Sequence, residues 1–395
     1  MNLLLVTGIF PPDRGGPASY VPRLAAALAR AGHHVEVLCL SDRLDHAAPA
    51  ADDAFRLHRI RRGLFWPWRI LLTTFTIWRL ALRHDLLYVN GLGAESALAA
   101  VLAGRPTVHK VVGDYAWERA TGRGWFRGTL DAYQTSVKSP GLHLLDLIRT
   151  FPLRLARQLI VPSRYLRRIV SGWGIEERKI RVILNAVDRH EPAPENPQPL
   201  PAWDGKTLIT VCRLEPWKGV DGLIQLLPEL PGARLIVAGD GGLRARLEAE
   251  ARACGVAERV QFLGSIPPGS VRGCLRQADA FVLNSTYEGL PHVVLEAMSA
   301  GVPVIATDAG GTSEVVENNV TGLLVPTHDA AALKAAIERL WNEPSLGQQL
   351  AEAATKQLAA RFDFDAMVSA TEAALQAALE RPRETRSIPL AEESR

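Results

Sequence analysis

Cysteine is scarce in this chain of 395 residues, which contains only four, all far apart in the sequence (Cys39, Cys212, Cys254 and Cys274). None of them forms a CxxC pair or stands beside a histidine cluster. This distribution argues against a disulfide scaffold or a zinc module and fits a reducing compartment. Charged residues make up 22% and hydrophobic residues 47% of the chain, a balance that excludes a mainly disordered or fibrous protein.

Targeting and cofactor signatures are also missing. The apolar run Leu3–Val6 is too short for a signal peptide, so we expect a cytoplasmic protein. Neither Gly15–Gly16 nor Gly239–Gly242 has the spacing GxGxxG, which argues against a dinucleotide-dependent dehydrogenase. The only D-x-D motif, Asp363–Asp365, stands at the predicted start of the last helix, where Asp is a common N-cap. We therefore expect no metal and no resident cofactor.

The net charge of +3 conceals an asymmetry between the two halves. Residues 1–190 carry 27 Lys and Arg against 15 Asp and Glu, whereas the remainder carries an excess of acidic residues. A basic half joined to an acidic half predicts that the first half meets an anionic partner. An excess of solvated arginines with no partner is the alternative.

The prolines between Glu191 and Trp203 predict a domain boundary, because such a stretch cannot form a helix or an inner strand. On both sides of this segment, short apolar runs alternate with helical periodicity. The pattern predicts an α/β fold with two Rossmann-like domains facing each other across a cleft. We expect an N-terminal domain at 1–190, a linker at 191–205, a C-terminal domain at 206–362, a closing helix at 363–380 that packs back towards the first domain, and a flexible tail at 381–395.

The first candidate binding element is the loop Arg213–Gly219, which directly follows a predicted strand. Arg213 and Lys218 are spaced so that they can reach both phosphates of a diphosphate. Gly219 permits a tight turn into the next helix, whose N-terminal amides also attract anions. A pair of solvent-exposed surface charges is the alternative.

The second element is Glu288–Glu296. Glu288 follows a predicted strand, and Pro291 suits the first position of the helix that contains Glu296. Glu296 then lies roughly 7–8 Å along the helix axis from Pro291, so one carboxylate can face a sugar while the other reaches a ribose. Glycosidases also use paired carboxylates, but they do not require the neighbouring cations. A structural pair of capping and surface glutamates is another alternative.

A third element is the loop after the first strand. Gly15 and Gly16 let backbone amides approach a phosphate or a sugar from the opposite wall of the cleft. Taken alone, this signal is weak.

These residues together resemble glycosyltransferase family 4, whose members are retaining enzymes with nucleotide-sugar donors and the two-domain GT-B fold. The resemblance covers nearly the whole chain. It implies that the N-terminal domain at 1–190 lies on the acceptor side and that the C-terminal domain at 206–362 binds the nucleotide-sugar. Its most specific part is the E-x7-E spacing of Glu288 and Glu296, within the segment EGLPHVVLEAMSAGVPVIA at 288–306. Further landmarks are the pair Arg213 and Lys218, the glycine loop, and the segments Val161–Ser163, Asn185–Asp188 and Gly310–Glu314.

The resemblance implies a role for each matched residue. Glu288 would contact the donor sugar, Glu296 would bind the ribose, and the cations would neutralise the leaving diphosphate. The segment Arg259–Gly264 resembles the one that lies against the nucleotide base, although its apolar residues also suit an ordinary buried strand. We expect donor contacts from Gly15, Gly16, Gly239, Arg259, Leu263, Gly289, Leu290, Pro291 and Glu296, and catalytic roles for Arg213, Lys218, Glu288 and Asp114.

Asp114 enters this set through a departure from the family pattern. Family members often place a histidine near the donor sugar, and the segment that resembles this position here is Val111–Tyr115. Either Asp114 has taken over the sugar contact or His109 reaches it from a shifted loop. We favour Asp114, and for His109 we favour an ordinary place within a strand.

We therefore predict a metal-independent, retaining hexosyltransferase that uses a UDP- or GDP-sugar. Its acceptor would be a glycan or a lipid-linked molecule in cell-surface polysaccharide, lipopolysaccharide or glycolipid synthesis. The donor phosphate itself would receive the acceptor proton, and we expect no nucleic-acid partner. A nucleotide-sugar epimerase or hydrolase on the same fold and a non-catalytic membrane- or carbohydrate-binding module are the alternatives.

The segment 64–82 could nearly span a bilayer by its length. Pro67, Arg69 and Arg79 argue against a spanning helix, whereas aromatic and basic residues together suit a helix that lies in the membrane interface. We predict that this segment docks the first domain on an anionic membrane face beside a lipid-linked acceptor, so that the protein is peripheral on the inner face of the membrane. The contacts expected are Arg61, Arg62, Trp66, Trp68 and Arg69. A helix packed on the sheet with its Trp and Leu residues in the core is the alternative.

Overall fold

The structure is a computed structural model that describes residues 1–13, 15–44, 54–188 and 199–380. Two parallel sheets, each covered by helices, confirm the predicted α/β architecture. Most of the predicted proline-rich linker at 191–205 and the predicted tail at 381–395 lie outside the described residues.

The first sheet has seven strands in the order β3-β2-β1-β4-β5-β6-β7. The strands are β1 Asn2–Thr7, β2 His34–Ser41, β3 Arg56–Arg61, β4 Leu86–Asn90, β5 Thr107–Lys110, β6 Gln158–Val161 and β7 Ile180–Val182. The helices between them are α1 Gly16–Arg30, α2 Trp66–Ala81, α3 Gly93–Ala103, α4 Tyr115–Gly122, α5 Leu130–Thr135, α6 Pro140–Leu155 and α7 Arg164–Ser171. β1 is buried from Leu3 onward because it lies in the middle of the sheet with helices on both faces.

The second sheet has six strands in the order β10-β9-β8-β11-β12-β13. The strands are β8 Lys206–Val211, β9 Ala233–Ala238, β10 Val260–Gly264, β11 Ala280–Leu283, β12 Val304–Thr307 and β13 Leu323–Val325. The helices are α8 Val220–Leu226, α9 Arg244–Ala253, α10 Pro268–Leu275, α11 His292–Ser299, α12 Ala330–Asn342 and α13 Pro344–Arg361. One small correction concerns Pro291, which is the residue before α11 and not its first residue.

The last helix, α14 (Phe364–Leu379), leaves the second domain and packs against the first. Met367, Ala374 and Leu375 lie in one apolar cluster with Leu3 and Leu24 of β1 and α1. Asp363 caps this helix by accepting a hydrogen bond from the Ala366 amide, as the sequence predicts. This helix therefore ties the end of the second domain to the first domain.

The strand order reverses beside β1 in the first sheet and beside β8 in the second. Ligands of open α/β sheets bind in the crevice beyond the carboxyl ends of the strands at such reversals. In the second domain, the segments that follow β8 and β11 contain Arg213, Lys218 and Glu288. In the first domain, the segments that follow β1 and β5 contain the glycine loop and Asp114.

Candidate functional site

The loop that carries Arg213 is held in place by close backbone packing. Gly239 directly follows β9 at φ +139°, and a Cβ atom there would lie 1.8 Å from the carbonyl oxygen of Cys212. The Leu214 amide donates to the carbonyl of Asp240 at 3.0 Å. Gly239 is therefore needed so that the Arg213 loop can lie against it, whether or not a donor also touches this glycine.

Lys218 is aimed at Glu288 by an equally tight turn. Residues Pro216–Lys218 form one 3-10 turn that buries Trp217, and Gly219 follows at φ +61°. A Cβ at Gly219 would lie 2.1 Å from the carbonyl oxygen of Asn284. The turn brings Lys218 Nζ to 2.6 Å from Glu288 Oε1, and the two side chains are only 15% and 10% exposed.

Glu288 lies on a loop that is wedged between two other backbone segments. The Gly311 amide donates to the Glu288 carbonyl at 2.8 Å. A Cβ at Gly310 would lie 2.2 Å from that carbonyl oxygen, and one at Gly289 would lie 2.4 Å from the carbonyl oxygen of Val112 in the first domain. Any side chain at these glycines would displace Glu288 or push the domains apart. Leu290 is buried, and its carbonyl accepts from Asn185 Nδ2 at 3.3 Å.

The structure separates the other predicted donor contacts into two groups. Glu296 lies on α11 with a quarter of its side chain exposed and its Oε1 3.5 Å from His292 Nδ1. Leu263 lies near the carboxyl end of β10, beside the turn at Gly239.

Arg259 does not belong with these residues, and its predicted donor contact is wrong. Arg259 precedes β10, at the opposite end of that strand from the cleft. Its guanidinium donates to the carbonyls of Leu227, Leu230 and Ala233 at 2.9–3.1 Å. The side chain therefore ties together the backbone at the far edge of the second sheet.

Asp114 also needs a correction. Its side chain is fully buried; Oδ1 accepts from the amides of Ala116 and Trp117 and so caps α4. Oδ2 accepts from Arg149 at 2.7 Å and from Gln134 at 3.0 Å. With both oxygens engaged and no accessible surface, this carboxylate cannot touch a sugar in the cleft. Asp114 instead fixes α4 to α6.

His109 lies within β5, as favoured from the sequence. It is 3% exposed, and burial lowers the pKa of His109 to about 4. Its imidazole is therefore neutral at physiological pH and belongs to the interior of the first domain.

Glu118 is the carboxylate that the sequence analysis missed. Its Oε2 lies 3.6 Å from an Arg213 guanidinium nitrogen across the cleft. A third of the side chain is accessible, but protein atoms surround most of it, and this burial raises the pKa of Glu118 against the opposing charges of Arg213 and Lys218. The sequence feature that could have identified Glu118 is its spacing of four residues from Asp114, the N-cap of α4, which places Glu118 one helical turn into that helix.

Several landmarks of the sequence form the junction between the two domains. Ser163 Oγ donates to the Gly289 carbonyl at 2.5 Å, and His292 Nε2 lies 3.1 Å from the Ala186 carbonyl. Glu314 accepts from the amides of Arg164 and Tyr165 at 2.9 and 2.8 Å, at the start of α7. These contacts set the distance between the two walls of the cleft.

Aromatic rings fill the junction beside the ion pairs. Trp117 of α4 packs against Trp217 and Tyr287, with ring centroids 5.1 and 4.9 Å away. All three rings are almost fully buried. Because Trp217 adjoins Lys218 and Tyr287 adjoins Glu288, the first domain packs directly against the supports of the ion pair.

The glycine loop of the first domain leads into α1. Gly15 is the N-cap residue at φ +138°, and Gly16 is the first helical residue. A Cβ at Gly15 would meet the Ile9 side chain at 3.0 Å, whereas the position of a Cβ at Gly16 is open. The first amides of α1 thus lie beyond the carboxyl end of β1 with little side-chain bulk around them.

Helix α2 packs on the sheet through one face only. Thr73, Ile77 and Leu80 are buried, whereas Trp66 and Trp68 are 62% and 68% exposed. The aromatic residues are therefore at the surface, contrary to the alternative that placed them in the core. Exposed apolar side chains continue over α2, α3 and α6: Phe65, Ile70, Leu71, Leu72, Phe75, Leu98, Val101, Leu102, Leu144, Leu147, Ile148, Phe151 and Leu155.

Of the three arginines predicted to contact a membrane, only Arg61 is fully at the surface. Arg62 is engaged within the protein by an ion pair with Asp13 and a hydrogen bond to the Leu40 carbonyl at 3.0 Å. Arg69 donates to the Arg62 carbonyl, also at 3.0 Å. Across the described ranges, every helix is too short or too polar to cross a bilayer.

Comparisons with known proteins agree with this arrangement. The family model described as "Glycosyl transferases group 1" matches residues 194–357, and the model described as "Glycosyl transferase 4-like domain" matches residues 15–186. A glycogen synthase of Mycobacterium tuberculosis is 30% identical over 401 residues, which cover 94% of this chain and 93% of that protein.

A second relative is a GDP-mannose-dependent phosphatidylinositol monomannoside mannosyltransferase of Mycolicibacterium smegmatis, 29% identical with 87% and 90% of the two chains covered. Among solved structures, a sucrose-phosphate synthase of Thermosynechococcus elongatus aligns with a TM-score of 0.78 at 20% identity, over 95% of this chain and 98% of that one. HepE of Anabaena, solved with UDP-glucose, aligns with a TM-score of 0.73 at 20% identity, over 95% and 100% of the two chains.

Proposed function

The chain belongs to the GT-B glycosyltransferases of the family 4 type, and we propose that it is a retaining hexosyltransferase acting on a lipid-linked or glycan acceptor at a membrane surface. The observation that carries the proposal is the buried ion pair of Lys218 with Glu288 at the carboxyl end of the second sheet. A cation held beside a carboxylate at that place suits a donor with two parts, an anionic diphosphate and a neutral sugar.

In this proposal, Lys218 and Arg213 bind the diphosphate and Glu288 binds the donor sugar. Arg213 is 60% exposed and lies near Glu118 and Glu215, so its guanidinium can move onto a phosphate when a donor enters. Glu296 binds the ribose from α11. What supports these roles is that the side chains follow strands of the second sheet at their carboxyl ends, where ligands of such sheets bind.

The transfer step exchanges one bond for another at the anomeric carbon. The bond from that carbon to the β-phosphate oxygen breaks, and a bond to the acceptor oxygen forms on the same face of the sugar. The departing phosphate oxygen takes the acceptor proton, while Lys218 and Arg213 neutralise the charge that develops on the diphosphate. This route needs neither a dedicated protein base nor a metal.

The donor is a UDP- or GDP-sugar in this proposal. The relatives of this chain include GDP-mannose-dependent mannosyltransferases, and a similar structure was solved with UDP-glucose. The two classes of donor share the diphosphate and ribose that the proposed residues would bind. The base is the part that distinguishes them, and Leu263 is the proposed neighbour of the base.

We assign the acceptor to the first domain. The exposed aromatic end of α2 and the neighbouring apolar faces of α3 and α6 form a surface suited to the interface of an anionic bilayer. The net positive charge of residues 1–190 would add an electrostatic attraction to that surface. Synthesis of a cell-surface polysaccharide or glycolipid is the process that such a placement serves.

Product analysis tests the proposal. The intact protein would be incubated with each of several UDP- and GDP-sugars, with and without a lipid extract, and the products identified by mass spectrometry. We expect one donor to lose its sugar to an acceptor only when the extract is present. Complete conversion of a donor without the extract would instead favour an epimerase or a hydrolase.

A further inference from the structure

A cluster of histidines surrounds one carboxylate at the end of the first sheet that is farthest from the cleft. His34 and Glu36 stand two residues apart at the start of β2, so both side chains project from the same face of the strand. His84 reaches the same place from the turn between α2 and β4. One ligand atom from each of the three residues lies within 4.8 Å of the other two.

His84 has the arrangement of a metal-binding histidine. It is 1% exposed, and its Nδ1 lies 2.7 Å from the carbonyl oxygen of Leu80. Because a carbonyl can only accept, Nδ1 must carry the hydrogen, and in the neutral ring Nε2 is left with its lone pair. Nε2 is buried and has no hydrogen-bond partner among the described residues. Ligating histidines are commonly fixed by this kind of bond from the second ring nitrogen to a backbone carbonyl.

Glu36 supplies the anionic donor. It is 8% exposed, and its Oε2 lies 2.6 Å from His58 Nε2 on the neighbouring strand. Its other oxygen, Oε1, faces His34 Nε2 at 3.5 Å.

From this geometry we propose that His34 Nε2, Glu36 Oε1 and His84 Nε2 bind one divalent transition-metal ion of the zinc type. Two imidazole nitrogens and a carboxylate oxygen form a donor set that Zn²⁺ accepts and that Mg²⁺ and Ca²⁺ disfavour. Ligand atoms around tetrahedral zinc are about 3.4 Å apart at the usual bond lengths. His34 is 60% exposed and can turn to reach that spacing, and water would complete the coordination.

The ion would act on the fold and not on the transfer step. It would join β2 to the turn that follows α2, and through Glu36 and His58 also to β3. Because α2 presents Trp66 at its other end, the metal would anchor the base of the proposed membrane-facing helix. A ligand that binds only the folded state stabilises that state.

The neighbouring histidine, His33, does not offer a second metal site of the same kind. His33 Nε2 lies 3.0 Å from Glu372 Oε1, and His33 Nδ1 lies 3.2 Å from the N-terminal amine of Met1. Both ring nitrogens of His33 are therefore engaged within the protein. The alternative to a metal is a purely ionic cluster, in which protonated His58 or His34 neutralises Glu36.

The test is a Zn²⁺ titration by calorimetry on the full chain, without a polyhistidine tag and after removal of metals by a chelator. We expect one equivalent of Zn²⁺ to bind and to raise the melting temperature. The variant His34→Ala should bind at least about tenfold more weakly, while its metal-free melting temperature stays near that of the wild type because the His34 side chain is mostly exposed.

The matched control is His143→Ala, which removes an exposed histidine of α6. This variant should bind Zn²⁺ as the wild type does. Failure of the wild type to bind Zn²⁺, or equal binding by His34→Ala, would overturn the proposal and leave the ionic cluster. Neither result depends on glycosyl transfer, so the metal site and the proposed function can fail separately.

Discussion

The two walls of the cleft are built in different ways. On the second-domain wall, glycines at 219, 239, 310 and 311 bring backbone segments so close that a Cβ atom would clash, and Lys218 and Glu288 are nearly buried. On the first-domain side, the aromatic end of α2 is exposed and Gly16 has open space around it. The difference suggests one fixed wall, which would hold a constant donor, and one open wall, which would suit a variable acceptor.

The largest expected effect is on the fixed wall. Lys218→Ala should lower kcat/KM by about 10²–10³-fold, because it removes a charge-assisted contact to the leaving diphosphate. The measurement is steady-state transfer with the donor found by product analysis, together with circular dichroism to establish that the variant folds.

A lysine at the start of the preceding strand provides the control for Lys218. Lys206 begins β8 at the end away from the cleft, where it is half exposed and 3.0 Å from Asp279. Lys206→Ala should leave kcat/KM nearly unchanged. Equal losses in the two variants would break the assignment of Lys218 to the donor.

A second prediction concerns acid stability of the first domain. The pKa of His109 is lowered from 6.5 to about 4 in the folded protein, so between these values the unfolded state binds the extra proton. The contribution of His109 to the free energy of unfolding is therefore fully present above about pH 6.5. It falls by about 3 kcal/mol in total as the pH drops from 6.5 to about 4. Urea unfolding at pH 7 and pH 4.5 should show a smaller acid loss for His109→Asn than for the wild type. The same loss in both would contradict this account of His109.

A third prediction separates stability from donor binding in the second domain. Arg259→Ala removes three hydrogen bonds to backbone carbonyls and should lower the free energy of unfolding by about 1–3 kcal/mol. Because Arg259 lies far from the cleft end of β10, the donor KM of the folded variant should not change. A raised donor KM with unaltered stability would return Arg259 to the donor site.

The smallest effect is expected at the open wall. The double variant Trp66→Ser, Trp68→Ser should co-sediment less with anionic vesicles than the wild type does. Its free energy of unfolding should be almost unaltered, since both side chains are exposed. Salt should weaken only the electrostatic part of binding. Val320→Ser, an exposed apolar position of the second domain, is the control. If the wild type, the double variant and Val320→Ser bind vesicles equally, α2 does not contact the membrane.

Local patterns in the sequence were sufficient for elements whose signal is contiguous. The strands at β1, β8 and β11 and the caps at Asp363 and Gly219 follow from short apolar runs and single residues. Helix α13 has a weaker signal in the sequence, because its buried face mixes Leu346, Leu350 and Leu358 with small alanines.

Contacts between distant segments could not be read in the same way. Asp114 has a suggestive position in the sequence, but its partner Arg149 comes from α6, 35 residues later. Arg259 was assigned to the donor because the segment Arg259–Gly264 resembles a family segment, but the direction of β10 puts Arg259 at the end of the strand away from the cleft. Glu36 and His84 are likewise brought together only by the folded sheet.

Titration of UDP and of GDP into the intact chain, in parallel with the Lys218→Ala variant, tests the account of the fixed wall most directly. We expect the wild type to bind one equivalent of one of the two nucleotides and the variant to bind it much more weakly, because the diphosphate loses its buried cation. Failure of both nucleotides to bind, or equal affinity in the wild type and the variant, would contradict the donor site described above.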